Sequence, residues 1–301
     1  MQSLRTVLVS SLAIFASACG NLQSLKVAAP PSDLSGKPIR VVASVPAVNE
    51  INPRANPIGK DGIYIVQTKG GSLVAGLLFG PLGVAMNSAN IESKNAELAK
   101  SAQASELLQL KPAQELAAVW ANNPVESNSA GKDEMSVSPY IILYSDDEKK
   151  EVFSLAGLKL TAGNKLQASG KPWTGHYIYA LPNNIPAAYL SGTIAPEALA
   201  SYRSELQKAY RELHEEMKRD FSGNQRTYQL ASVQSPVLKA STIGFAGFTS
   251  GDILQEANGK LIAKVNIENY GPAMDRSIPY FVWIFPNANQ YSFNLGPEAR
   301  K

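Results

Sequence analysis

The stretch KPWTGHYIY places Trp173, His176, Tyr177 and Tyr179 within seven residues at the start of a β-branched, aromatic run. Flat aromatic faces beside a titratable ring are what line glycan and peptide grooves, so these four are the candidate ligand-binding residues. The same residues are also good sheet formers. The other histidine, His214, sits in HEEMK, where no second histidine follows four residues on as a zinc-protease helix requires. It is expected on a solvated helix edge. With two histidines and one cysteine in the whole chain, no metal site is expected.

Nucleophile motifs fail in the same way. GFTSG (247–251) has Thr249 where a nucleophile elbow needs serine, and it reads as a turn. SAGK (129–132) matches Ser-x-x-Lys, but the Lys-Thr-Gly and Ser-Asp-Asn partners of that chemistry are absent. YSDDEKKE (144–151) alternates in sign and reads as a solvated hairpin tip. Neither Gly-x-Gly-x-x-Gly nor a Walker loop occurs. No catalytic residue is assigned and no cofactor is called for.

The lone cysteine, Cys19, follows Arg5, an apolar run from Val7 to Phe15 and the small residues Ala16, Ser17 and Ala18. This is signal-peptide anatomy, and the run is far short of the roughly 20 residues that span a bilayer. Ala16-Ser17-Ala18 satisfies the small-x-small rule of ordinary secretory cleavage, which would release a soluble protein beginning with a free thiol. Ala-Ser-Ala-Cys also resembles the lipobox of bacterial lipoproteins, over residues 1–21 only. The resemblance implies that Cys19 carries a diacylglyceryl thioether and, after cleavage, an acylated N-terminus. An unpaired thiol is a liability in an oxidising compartment, and lipidation consumes it. Two or more acyl chains anchor stably. Gly20, in place of the aspartate that retains lipoproteins at the inner membrane, implies the outer membrane's periplasmic face.

Composition bounds the partners. A net charge of +3 is too small to imply nucleic acid. Hydrophobic residues at 45% and charged ones at 18% suit a folded body with a sizeable core, which without cysteine pairs must hold by packing.

The elements expected to position these residues follow from periodicity. Residues 19–38 are a polar tether. Strands are expected over 39–48 and 62–69. The uncharged segment 70–90 carries Gly76-x-x-x-Gly80 and Gly83, the small-residue spacing of closely packed membrane helices. Its apolar core is too short to span, so it reads as a buried hairpin or helix, with membrane or partner contact through Gly76, Gly80 and Gly83 as the alternative. An Ala-rich helical segment is expected over about 91–123, interrupted at Pro112, then a polar loop over 124–136 and a strand pair turning at Asp146 to Lys150. Residues 175–182 read as a strand. Leu199, Tyr202, Leu206, Tyr210, Leu213 and Met217 form one stripe of a long amphipathic helix over about 196–221.

From 226 onward strands and turns follow. Residues 261–268 alternate as a half-buried strand, and IPYFVWIFP (278–286) must be covered on both faces. The expected fold is α+β, mainly antiparallel, with a mixed domain over 39–222 and a smaller β-rich one over 223–301, or the two as one.

The expected function is a lipid-anchored envelope lipoprotein acting as a non-enzymatic binding or assembly module. Its partners would be the membrane and other envelope proteins or glycan. One alternative is an envelope-polymer hydrolase using Asp or Glu with His176. Another is a membrane-inserting protein using 70–90.

Overall fold

The computed structural model describes residues 30, 38–43, 46, 58–67, 105–120, 125–126, 134–146, 150–163, 173–222, 229–234, 248–256, 258–265, 280–287 and 292–295. In chain order these form β1 (Ile39–Val42), β2 (Ile58–Lys60), β3 (Ile63–Gln67), α1 (Pro112–Ala117), β4 (Val125–Glu126), β5 (Met135–Asp146), β6 (Glu151–Ala162), β7 (Trp173–Ala180), β8 (Ile185–Pro186), α2 (Pro196–Phe221), β9 (Gln229–Gln234), β10 (Phe248–Gln255), β11 (Leu261–Val265), β12 (Tyr280–Phe285) and β13 (Ser292–Leu295). Short 3₁₀ turns occupy Glu106–Gln109 and Ala187–Leu190.

The architecture is α+β. One sheet runs in the order β13-β9-β10-β11-β12-β7-β6-β5-β1-β4, with β3 and β2 continuing along the β5 edge and β8 along the β6 edge. The sheet is mixed: most of the described pairings are antiparallel, as expected, but β1 with β4, β1 with β5, β3 with β5 and β7 with β12 pair in parallel. Parallel neighbours need long crossovers, and no local pattern reports them. The sheet passes residue 223 without a break, since β12 lies directly on β7.

Its backbone is the β5–β6 hairpin, twelve residues a strand, paired from Met135 with Ala162 to Asp146 with Glu151. Register fixes the two faces. Val137, Ile141, Leu158, Leu160, Tyr177, Val282 and Ile284 point to the helix side and join one core with Tyr202, Leu206, Tyr210, Leu213 and Met217 of α2. The opposite face carries Tyr64, Tyr140, Ile142, Leu155, His176, Ile178, Trp283 and Phe285, all buried as well. Strand β12 is thus covered on both sides, as its unbroken apolar run requires. Leu261, Ile262 and Ala263 of β11 are all buried, so the half-buried alternation expected there is corrected.

Helix α2 is a single 26-residue element, with Pro196 in its first turn, Glu197 beside it, and Lys218 and Arg219 in its last turn, as the helix dipole favours. The Ala-rich helix is corrected. Leu110 is extended, and Pro112 restarts the chain as α1, which is only six residues long. Residues 91–104 lie outside the described residues. The polar loop over 124–136 contains β4 and the start of β5. GFTSG is corrected from turn to strand, since Phe248 to Gly251 pair antiparallel with Gln234 to Ala231. The Asp61–Gly62 turn, both residues at positive φ, makes β2 and β3 a hairpin not expected from the run at 62–69 alone. Among the described residues no helix is long and apolar enough to cross a membrane.

Gly157 decides one packing relation. A Cβ there would stand 2.2 Å from the Tyr140 ring, so the phenol lies across β6 only because residue 157 has no side chain. Gly157→Ala is expected to destabilise the fold by about 2 kcal/mol through overpacking. Combining it with Tyr140→Ala should cost clearly less than the sum of the two single changes. Urea titrations of the four proteins check this.

Candidate functional site

The strand β7 alternates, and so it divides the four sequence candidates. Trp173, Tyr177 and Tyr179 lie on the helix face within the core, and His176 lies on the opposite face. Trp173 packs edge-on to Phe221 and tilted against Tyr280, with centroids 6.3 and 5.9 Å apart. The Tyr177 ring meets the same two partners. The four side chains therefore do not line one groove. They are packing partners in two layers.

Two polar constellations grow out of this strand. On the helix face, Asp220 in the last turn of α2 is reached by three strands. Its Oδ2 accepts hydrogen bonds from the Tyr177 hydroxyl at 2.8 Å and the Tyr280 hydroxyl at 2.7 Å, while Lys264 Nζ on β11 donates to Oδ1. The Asp220 side chain is 6% exposed and that of Lys264 25%. Burial, then the Asp220 charge, holds the Tyr177 phenol well above its ordinary pKa, so it stays a donor. Next along the helix, Lys260 bridges Glu212 at 3.1 Å and Glu256 at 3.0 Å.

On the other face, a 3.0 Å hydrogen bond joins the Tyr140 hydroxyl to His176 Nδ1. The imidazole stacks on Phe281 at 5.0 Å and lies beside Lys159, its partner across the ladder. Nε2 is buried, with no hydrogen-bond partner among the described residues. Burial, assisted by the Lys159 charge, lowers the His176 pKa to about 3. The ring is neutral at pH 7 and fully enclosed. In this arrangement it can order the sheet face but cannot touch a dissolved substrate. His214 is not a freely solvated ring either. It packs on Trp120 with centroids 4.1 Å apart, and partial burial lowers its pKa.

The accessible site lies elsewhere. A half-open groove of about 280 Å³ runs between the 3₁₀ turn 106–109, the segment 183–194 and the N-terminal half of α2. Local chemistry builds it. Ser105 Oγ donates to the Tyr189 carbonyl at 2.7 Å, and Ala187 N–H donates to the Lys150 carbonyl at 2.9 Å, so both 3₁₀ turns are fastened over the end of the β5–β6 hairpin. Pro196 then starts α2 under the segment. Leu107, Ile185, Ile194 and Leu199 give an aliphatic floor. The mouth is polar. The Asn183 amide donates to Glu205, and the Asn184 amide donates to Glu151 Oε2 at 3.1 Å. Sequence reasoning missed this groove. Its residues come from three separate segments, and the only local sign was Leu199 at the upper end of the α2 stripe.

Cys19, Gly76, Gly80, Gly83 and the SAGK segment lie outside the described residues. Among the described residues no group of three or more His, Cys, Asp or Glu gathers as metal ligands would. No protein-family model, curated protein or solved structure matches the chain.

The His176 environment makes a prediction about pH. Its folded pKa lies below that of an unfolded histidine, so between about pH 6.5 and 3 the unfolded chain takes up a proton that the folded one refuses. The contribution is intact above the unfolded value and falls as pH drops through that window, at up to about 1.4 kcal/mol per pH unit. From pH 7 to pH 5, urea unfolding of the wild type should lose on the order of 1–2 kcal/mol more than that of His176→Gln. Identical losses would show that the ring is not held neutral.

Proposed function

We propose that this chain is a lipid-anchored lipoprotein of the bacterial envelope. Cys19 holds it at the periplasmic face of the outer membrane, and the folded body serves as a non-enzymatic binding or assembly module. The observation that carries the anchor is the single cysteine of the chain, placed directly after Ala16-Ser17-Ala18. A sulfur used once, at a cleavage junction, is accounted for by a thioether and by no disulfide. The tether over 19–38 gives the body reach from the bilayer.

For the module, the supporting feature is the groove between α2 and 183–194. It is concave and aliphatic below, with a few fixed amides and carboxylates at its mouth, as binding sites are built. Its size suits one or two side chains of an envelope protein, or a sugar unit of a glycan. The hydrolase alternative needs His176 as an acid-base group, and its enclosure leaves that reading without support in the geometry.

The test is the state of the sulfur. The full chain expressed in a Gram-negative host should yield an N-terminal peptide starting at Cys19 and carrying three acyl chains by mass spectrometry. Cys19→Ser should lose the lipid and leave the membrane fraction. A free Cys19 thiol, or residues 1–18 still attached, would refute the anchor.

A further inference from the structure

We propose that the groove takes an extended peptide in which an aliphatic side chain is flanked by lysine or arginine. This rests on the reading of the groove as the binding surface. Two features define the ligand. The floor is set by Leu107, Ile185, Ile194 and Leu199. Of the two lining tyrosines Tyr202 is buried and Tyr189 partly exposed, so the groove offers aliphatic surface that matches a branched side chain better than the flat face of a sugar ring. The volume, about 280 Å³, is at the small end for a ligand site and fits a side chain or two rather than an extended glycan.

The mouth is the second feature. Among the described residues no lysine or arginine lines the groove, and Glu205 is the charged residue that does. Glu151 stands just outside it, behind Asn184. Each rim asparagine donates one amide hydrogen to one of these carboxylates. The two carboxylates are thus held by short neutral donors, with oxygen lone pairs left for an incoming cation. An ammonium or guanidinium one residue from the buried side chain would meet them at the rim, where charge complementarity selects the partner and accelerates encounter.

Calorimetric titration of the full chain in detergent micelles tests this with three probes: acetyl-Lys-Leu-Leu-Lys-amide, acetyl-Glu-Leu-Leu-Glu-amide and the trimer of N-acetylglucosamine. The cationic peptide should bind at least tenfold tighter than the acidic one and weaken as salt rises. Glu205→Gln should weaken it by about three- to fivefold, the scale of an exposed ion pair. Ser201→Arg, an exposed change on the groove wall that leaves the core untouched, should weaken it similarly. Equal affinity for the two peptides, or no effect of either substitution, overturns the inference. Binding of the sugar trimer alone, lost on Leu199→Asp, also overturns it but keeps the groove as the binding surface. Silence toward all three probes removes both the ligand and the groove reading.

Discussion

One carboxylate ties the end of the long helix to three neighbouring strands in the middle of the sheet. Asp220 ends the long helix at the seam where β7 and β12 pair in parallel, and it accepts a phenol hydrogen from each of those strands. Lys264, from the next strand out, completes the set and lies 5.8 Å above the Tyr280 ring. A carboxylate so far removed from water is tolerated only because its oxygens are met by three donors. The seam needs such a tie. A parallel pair formed across about a hundred intervening residues has no local turn to set its register, whereas a helix terminus bonded to both strands defines where they meet.

Around that tie, packing depends on where side chains are missing. A Cβ at Gly157 would meet Tyr140, and one at Gly175 would stand 2.4 Å from the Trp173 indole. An aromatic ring therefore lies over a glycine on each face of the sheet, at adjacent strands. On one face this carries Tyr140 to His176. On the other it carries Trp173 toward Phe221 and Tyr280. Aromatics laid over glycines restore buried area, and the cross-strand pair of Tyr140 with Gly157 also pins register, which explains why the residues that look most like a ligand platform are used as interior structure. The accessible groove lies instead at the other end of the helix, where short turns build it.

Some of this was legible. The stripe Leu199 to Met217 gave α2 because 3.6-residue periodicity is local, and the alternating-sign turn at 146–150 marked the β5–β6 hairpin for the same reason. The unbroken run 278–286 required a strand covered on both faces. Asp61-Gly62 is a hairpin dipeptide and a local signal for the β2–β3 turn. The division of Trp173, Tyr177 and Tyr179 from His176 was implicit in strand alternation, yet their closeness in sequence suggested one site. What no local pattern holds is the parallel pairing of β1 with β5 and β7 with β12, the meeting of Asp220 with Tyr280, and the groove, all of which join segments remote in sequence.

Hydrogen exchange of wild type against Asp220→Ala tests the claim about the seam most directly. Amides of 261–265 and 280–285, together with the last turn of α2, should lose protection, while those of 135–162 keep theirs, so that the two sets exchange as separate units. Unchanged protection at 280–285, or an even loss that includes 135–162, would contradict the account.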